Sequence, residues 1–162
     1  MKIIATNEVE KRLLTDFFTV HWGSPRMVLS SGVYICDELD GFVAMSDAGS
    51  LIGLCTYTVE GDDCEIISLD SLEENKGIGT ALMKRVEEEA EARGCQRVRL
   101  ITTNDNVHAL AFYQRRGYRL MELFPNAVEK ARKIKPEIPL MADNGIPIRD
   151  ELLLGKDLVL HS

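Results

Sequence analysis

No apolar run in this 162-residue chain approaches the ~18 residues that a membrane-spanning helix requires. The first ten residues, M-K-I-I-A-T-N-E-V-E, turn acidic at once, without the apolar stretch and cleavage site of a secretory signal. A cytoplasmic protein that does not engage a membrane is therefore expected. Cysteine is sparse and scattered. Cys36, Cys55, Cys64 and Cys95 form no C-x-x-C pair and have no neighbouring histidine, which argues against a zinc site and for buried free thiols. No metal is expected. Basic residues are outnumbered, 19 Lys and Arg against 26 Asp and Glu, for a net charge of −7. That balance excludes a broad basic face for nucleic acid and suits a cationic or amine ligand. Repeats, low-complexity tracts and linkers are also lacking, so residues 1–162 are expected to form one domain.

What is present is a soluble composition, 45% hydrophobic and 28% charged, ample for a buried core. A short strand at Lys2–Ala5 precedes a helix from Asn7, its N-cap, to about His21. Val9, Leu13, Leu14, Phe17, Phe18 and His21 fall at helical spacing there. Trp22-Gly23-Ser24-Pro25 breaks it. Residues 41–47 and 51–59 are strand-like around an Ala48-Gly49-Ser50 turn, and Gly61-Asp62-Asp63 leads to a further run at Cys64–Ser71. A long helix follows, with Ile78, Leu82, Val86 and Ala90 on one face and Gly94 as its stop. Arg97–Thr103 predicts a strand, Asn106–Arg116 a helix and Tyr118–Phe124 a strand. Pro125 to Pro147 holds four of the five prolines and predicts a short helix followed by irregular chain. Glu151–Leu160 closes the chain as a strand. Paired strands early and β-α-β-α-β later predict an α/β fold with a mixed sheet flanked by helices.

Two helix starts carry the chemistry. The first is E-N-K-G-I-G-T at Glu74–Thr80. A helix start offers unpaired N–H groups and roughly half a positive charge, and glycine lets an anion reach the backbone without meeting a Cβ. Gly77 and Gly79 stand at that start, with the amides of Asn75, Lys76, Ile78 and Thr80 around them. Lys76 adds a charge and Thr80 a hydroxyl. A Walker loop does not fit, because Lys76 precedes its glycine. Nor does G-x-G-x-x-G, because Leu82 occupies the third glycine position. A glycine-rich turn with no ligand is the alternative.

The second motif is N-V-H-A-L-A-F-Y-Q-R-R-G-Y at Asn106–Tyr118. With both motifs in view, the chain resembles the GNAT acetyltransferase superfamily. Asn106, Ala109, Phe112, Tyr113, Gly117 and Tyr118 match that family's second signature, and Gly77 and Gly79 the core of its pyrophosphate signature. Glu74 stands where the family usually has Gln or Arg. Backbone amides do most of the phosphate binding, so binding is expected to survive the change. The resemblance is strong over about residues 64–124.

The resemblance implies acetyl-CoA as co-substrate and a V-shaped splay between the fourth and fifth strands, with the pantetheine arm in the gap. It would pair beside Leu69 and be contacted by Asn106, with Tyr113 aimed at the sulfur. Asn106 as an ordinary N-cap and Tyr113 as a core tyrosine are the structural alternatives. The implied reaction is transfer of an acetyl group to a primary amine of a small molecule or peptide by direct attack in a ternary complex. Tyr113 would protonate the leaving thiolate, and an oxyanion would be held by a backbone N–H near Leu69. Relatives place a catalytic glutamate on the strand that here carries Glu65, and period-two counting sets Glu65 on the face of Leu69 with Asp70 opposite, an arrangement that a bulge would change. Asp63, Asp70 and an ordered water are the other candidates for the base. His108 turns away from Tyr113 by helical spacing, and His21 is expected to pack at a helix end. Trp22 either walls an acceptor pocket or packs, and Lys130–Lys135 either reaches the 3′-phosphate or forms a solvated helix face. A non-catalytic acyl-CoA sensor with the same fold is the alternative function, and exposed edge strands make a homodimer an expectation.

Overall fold

The computed structural model describes residues 1–73 and 76–158. Among the described residues nine strands and four α-helices follow one another as β1 (Lys2–Ala5), α1 (Lys11–Trp22), β2 (Arg26–Leu29), β3 (Gly32–Ile35), β4 (Asp40–Met45), β5 (Leu51–Glu60), β6 (Asp63–Ser71), α2 (Ile78–Ala92), β7 (Arg97–Thr103), α3 (Val107–Arg115), β8 (Arg119–Phe124), α4 (Ala127–Ile134) and β9 (Glu151–Asp157). Seven strands make one mixed sheet in the order β1-β4-β5-β6-β7-β9-β8, and β2-β3 form a separate hairpin. The sheet is antiparallel except where β6 meets β7. Among the described residues no helix is long and apolar enough to cross a membrane.

Each face of the sheet buries one apolar layer. Ile78, Leu82, Met83, Val86 and Ala90 repeat along α2 and pack on Phe42, Cys55, Cys64, Ile66, Val98 and Leu100. On the other face, Leu14, Phe17 and Phe18 of α1 pack with Cys36 on Val43, Leu54 and Ile67. All four cysteines are free and buried, as their scatter predicts. Gly94, left-handed at φ +80°, lies just past the end of α2.

Three differences from the sequence reading bear on the site. The first helix begins at Lys11, after a 3-10 turn at Thr6–Glu8, so Asn7 lies inside that turn and is not the N-cap. The hairpin β2-β3 has no counterpart in the predicted elements. Its turn is fixed by tertiary contacts: Ser30 donates from its backbone N–H and its hydroxyl to Glu151, at 2.8 and 2.6 Å, and Ser31 donates to Glu65 at 2.5 Å. The third is a β-bulge. Thr56 faces Ser68 but Tyr57 faces Ile66, so Ile67 is an extra residue in β6.

Candidate active site

β6 and β7 pair in parallel only from Asp63 with Arg97 to Ile66 with Leu100. Beyond Ile66 the two strands part, and β6 continues along β5 alone to Ser71. A cleft of about 420 Å³ opens at the parting, lined by Leu69, Asp70, Ser71 and Glu73, by Gly77–Thr80, and by Asn106, His108, Ala109, Phe112, Tyr113, Arg115 and Arg116. The two sequence motifs therefore form opposite walls of one cleft. A second hollow, between β2 and α4, is apolar and contains none of these residues.

The first wall is a helix start. Gly77 is the N-cap of α2, left-handed at φ +73°, and its carbonyl accepts from Ala81 at 3.0 Å. The N–H groups of Ile78, Gly79 and Thr80 belong to the first helical turn, where no intrahelical acceptor exists. Gly79 also has a packing reason: a Cβ there would sit 3.1 Å from the Phe112 ring. Thr80 lines this wall. Its hydroxyl accepts from Arg116 Nε at 2.9 Å, and the Arg116 guanidinium lies 3.5 Å above the Phe112 ring. The cation at this wall is thus Arg116, with Arg115 beside it, while Lys76 is exposed and outside the lining. The sequence signal for Arg116 was present in Gln114-Arg115-Arg116, but a basic helix end ordinarily faces solvent. Asn75 and Glu74 lie outside the described residues.

On the second wall, Asn106 occupies the N-cap position of α3 without capping it through its side chain. Its amide instead donates to Thr102 at 3.4 Å, and the residue remains exposed in the cleft. His108 lines the cleft too, so helical spacing from Tyr113 does not remove it from the site. Tyr113 is half-buried and packs edge-on to Phe112 and Tyr118, with centroids 5.5 and 6.2 Å away. Burial pushes the phenol's pKa well up, reinforced by Cys55 and Asp70, so it stays protonated across the working range.

The bulge at Ile67 changes the carboxylates. Leu69 keeps the α2 face, packing with that core. Glu65 and Asp70 both emerge on the α1 face, where Glu65 meets Ser31 and Asp70 meets Trp22. Period-two counting, which sets Glu65 with Leu69 and opposite Asp70, is thereby corrected by one inserted residue. Glu65, the expected base, is engaged by protein partners. It is buried, its Oε1 accepts from Arg99 at 3.0 Å and its Oε2 from Ser31, and it does not line the cleft. Asp63 is likewise held, accepting from Arg97 and Arg99 at 3.1 Å each. Asp70 alone of the three lines the cleft. Trp22 Nε1 donates to its Oδ2 at 3.0 Å.

The proline-rich section is ordered by a few side chains. Arg132 donates to the carbonyls of Ile138, Pro139 and Ile148 at 2.5–3.2 Å. Asn104 donates to Pro147 and accepts from the backbone of Arg149 and Asp150. Lys135 is buried, its Nζ donating to the carbonyls of Trp22 and Arg26 at 3.2 and 2.7 Å, and burial lowers its pKa. This end of the basic run therefore fastens the end of α1 and contacts no part of the cleft wall.

Residues 9–118 match the Acetyltransferase (GNAT) family. The chain belongs to that family. It is accordingly an enzyme of the acetyl-CoA-dependent N-acetyltransferase class. It is similar to the uncharacterised protein YdhI of Bacillus subtilis (strain 168), 64% identical over 96% of this chain and 98% of the relative. Its fold resembles an IAA acetyltransferase from Bacillus cereus ATCC 14579, at 23% identity and a TM-score of 0.70, covering 97% of this chain and all of that one. It also resembles a Bacillus subtilis acetyltransferase in complex with CoA, at 19% identity and a TM-score of 0.69, covering 98% and 99% of the two chains. The GNAT domain's mixed sheet and helices are those the two motifs implied.

Proposed function

We propose that this GNAT enzyme transfers the acetyl group of acetyl-CoA to a primary amine of a small molecule or peptide, by direct attack within a ternary complex. The observation that carries this reading is the single cleft whose walls are the Gly77–Thr80 helix start and the Asn106–Tyr113 helix face. A diphosphate fits the first wall: its amides are unpaired by helix geometry, Gly77 and Gly79 present no side chain, and Arg116 supplies a cation. Asn75 and Lys76 are assigned to the same phosphate turn. Leu69 and Asn106 flank the path between the parted strands, where the pantetheine arm would lie.

An alkylammonium acceptor has pKa ~10.4, so its neutral form at pH 7 is reached at a cost of roughly 4–5 kcal/mol. Once neutral, its nitrogen attacks the thioester carbonyl. The C–N bond forms, the carbonyl oxygen takes negative charge beside the Leu69 backbone, and the C–S bond then breaks. Tyr113 donates its proton to the leaving sulfur. The raised pKa of the phenol ensures that the proton is there to give.

Acetyl-CoA at 100 times its dissociation constant should raise stability by about 2.7 kcal/mol. Read in a thermal melt, that is roughly 5–10 °C for a domain of this size. A melt unmoved by millimolar acetyl-CoA would remove the reading. Release of free CoA thiol across a panel of primary amines would establish turnover, whereas binding without release would make the domain a sensor. Tyr113→Phe should lower kcat by about a hundredfold or more while the acetyl-CoA-induced melting shift persists. A kcat equal to wild type would show that the phenol is not the acid.

A further inference from the structure

The base is the part of this reaction that the sequence leaves open, and the bulge in β6 narrows it. We propose that Asp70 accepts the proton of the acceptor ammonium, with Trp22 as the positioning residue that holds the Asp70 carboxylate at the mouth of the parted strands. The proposal rests on the amine-acceptor reading above.

The geometry is specific. Asp70 follows Leu69, the residue assigned to the thioester end of the cleft, and lines that cleft together with Tyr113. Its side chain reaches the other face of the sheet, where the end of α1 brings Trp22 Nε1 to 3.0 Å from Oδ2. Trp22 is itself pinned, because its carbonyl accepts from the buried Lys135 ammonium. Among the described residues Trp22 is the sole side-chain partner of this carboxylate, and no cation pairs with it in a salt bridge. Glu65 and Asp63, by contrast, are each held by arginine. A proton taken by Asp70 therefore enters a site where burial favours the neutral acid, while the indole N–H and the His21 charge oppose that shift.

The step balances. R-NH3⁺ gives one proton to the Asp70 carboxylate, leaving R-NH2 and a neutral carboxylic acid. The lone pair so freed forms the C–N bond to the acetyl carbon. As the tetrahedral species collapses, Tyr113 protonates the departing sulfur, and the excess proton on nitrogen passes through solvent to the resulting phenolate. Asp70 releases its proton to bulk water, so that one proton leaves per acetyl group transferred.

The groups that act electrostatically on or with Asp70 are His21 from α1, Cys36 after β3, Cys55 from β5 and Tyr113 from α3. Burial raises the pKa of both thiols and of the phenol, which keeps them neutral in acid and leaves His21 as the neighbour to control for.

The test is the pH dependence of kcat/KM, followed by CoA release with the best amine of the panel. Wild type should show an acid limb that lies above the usual carboxylate range. Asp70→Asn should lose about a hundredfold or more at neutral pH and lose the limb, while its acetyl-CoA-induced melting shift matches wild type. Trp22→Phe removes a hydrogen bond to the charged form, so its limb should move to higher pH, an effect that simple loss of packing would not produce. Trp22 is the chain's one tryptophan, so its fluorescence provides a second readout. The emission should titrate in acid in wild type and in His21→Gln, and the step should vanish in Asp70→Asn. An active wild type with Asp70→Asn at similar rate and an unchanged limb would overturn the base alone. A wild type that releases no CoA with any amine would overturn the amine reading, and the base with it.

Discussion

Gly79→Asp should abolish productive acetyl-CoA binding. Two effects act together at this position. A carboxylate is introduced at the amides that would meet a diphosphate. A pair of unit charges about 4 Å apart near a protein surface interact by roughly 4 kcal/mol, close to a thousandfold in affinity. In addition, any Cβ at residue 79 stands 3.1 Å from Phe112, whose ring is covered by Arg116. Gly79→Ala separates the two. It adds the Cβ without the charge, the ring must yield by a few tenths of an ångström, and this overpacking should cost about 1–3 kcal/mol of stability while the affinity falls by much less than in Gly79→Asp. Isothermal titration with acetyl-CoA measures both. If Gly79→Asp binds as wild type does, the phosphate assignment is wrong.

Arg99→Met should destabilise the fold strongly. Arg99 sits between two carboxylates, 3.0 Å from buried Glu65 and 3.1 Å from Asp63. Removing one partner of a buried pair costs about 3–5 kcal/mol, because the other charge is left unpaired. For a chain of this length the melting temperature should fall by roughly 6–20 °C. Adding Glu65→Gln to Arg99→Met should restore part of the loss, since the stranded charge is gone. Glu65→Gln alone separates the structural assignment from a catalytic one. Its stability should fall, and its kcat/KM should keep the acid limb of wild type. A lost limb would return the base to Glu65.

The parts of the fold that were legible in the sequence are those whose information is local. Ile78, Leu82, Val86 and Ala90 recur at helical spacing, and α2 buries that face. Arg97–Thr103 is a strand with the bounds its β-formers suggest. The two motifs lie on either side of one cleft because each marks a helix start, and the βαβ order brings those starts together. The illegible parts depend on partners distant in sequence. The β2-β3 hairpin is held at its turn by Glu65 and Glu151, which lie 34 and 121 positions away from their serines. Asp70 shares a face with Glu65 through one inserted residue at Ile67, and no pattern in Cys64–Ser71 announces it. Lys135 and Arg116 look like solvated charges in the sequence, yet one fastens a helix end and the other covers an aromatic ring.

The stretch from Pro136 to Asp150 has no regular element beyond one bridge between Met141 and Pro147. Much of its path is set through main-chain atoms, gripped by one guanidinium on α4 and one amide after β7 and joined by backbone bonds such as Ile148 N–H to the Leu140 carbonyl. Asn144, donating to the Asp105 carbonyl, and Asp150, accepting from the Asn126 N–H, are its own side-chain anchors. The main-chain grip is blind to the side chains it holds. Away from Asn144 and Asp150 the stretch is free to change its composition, and with it whatever it presents to an incoming molecule, while its outline endures so long as those two, Arg132 and Asn104 do.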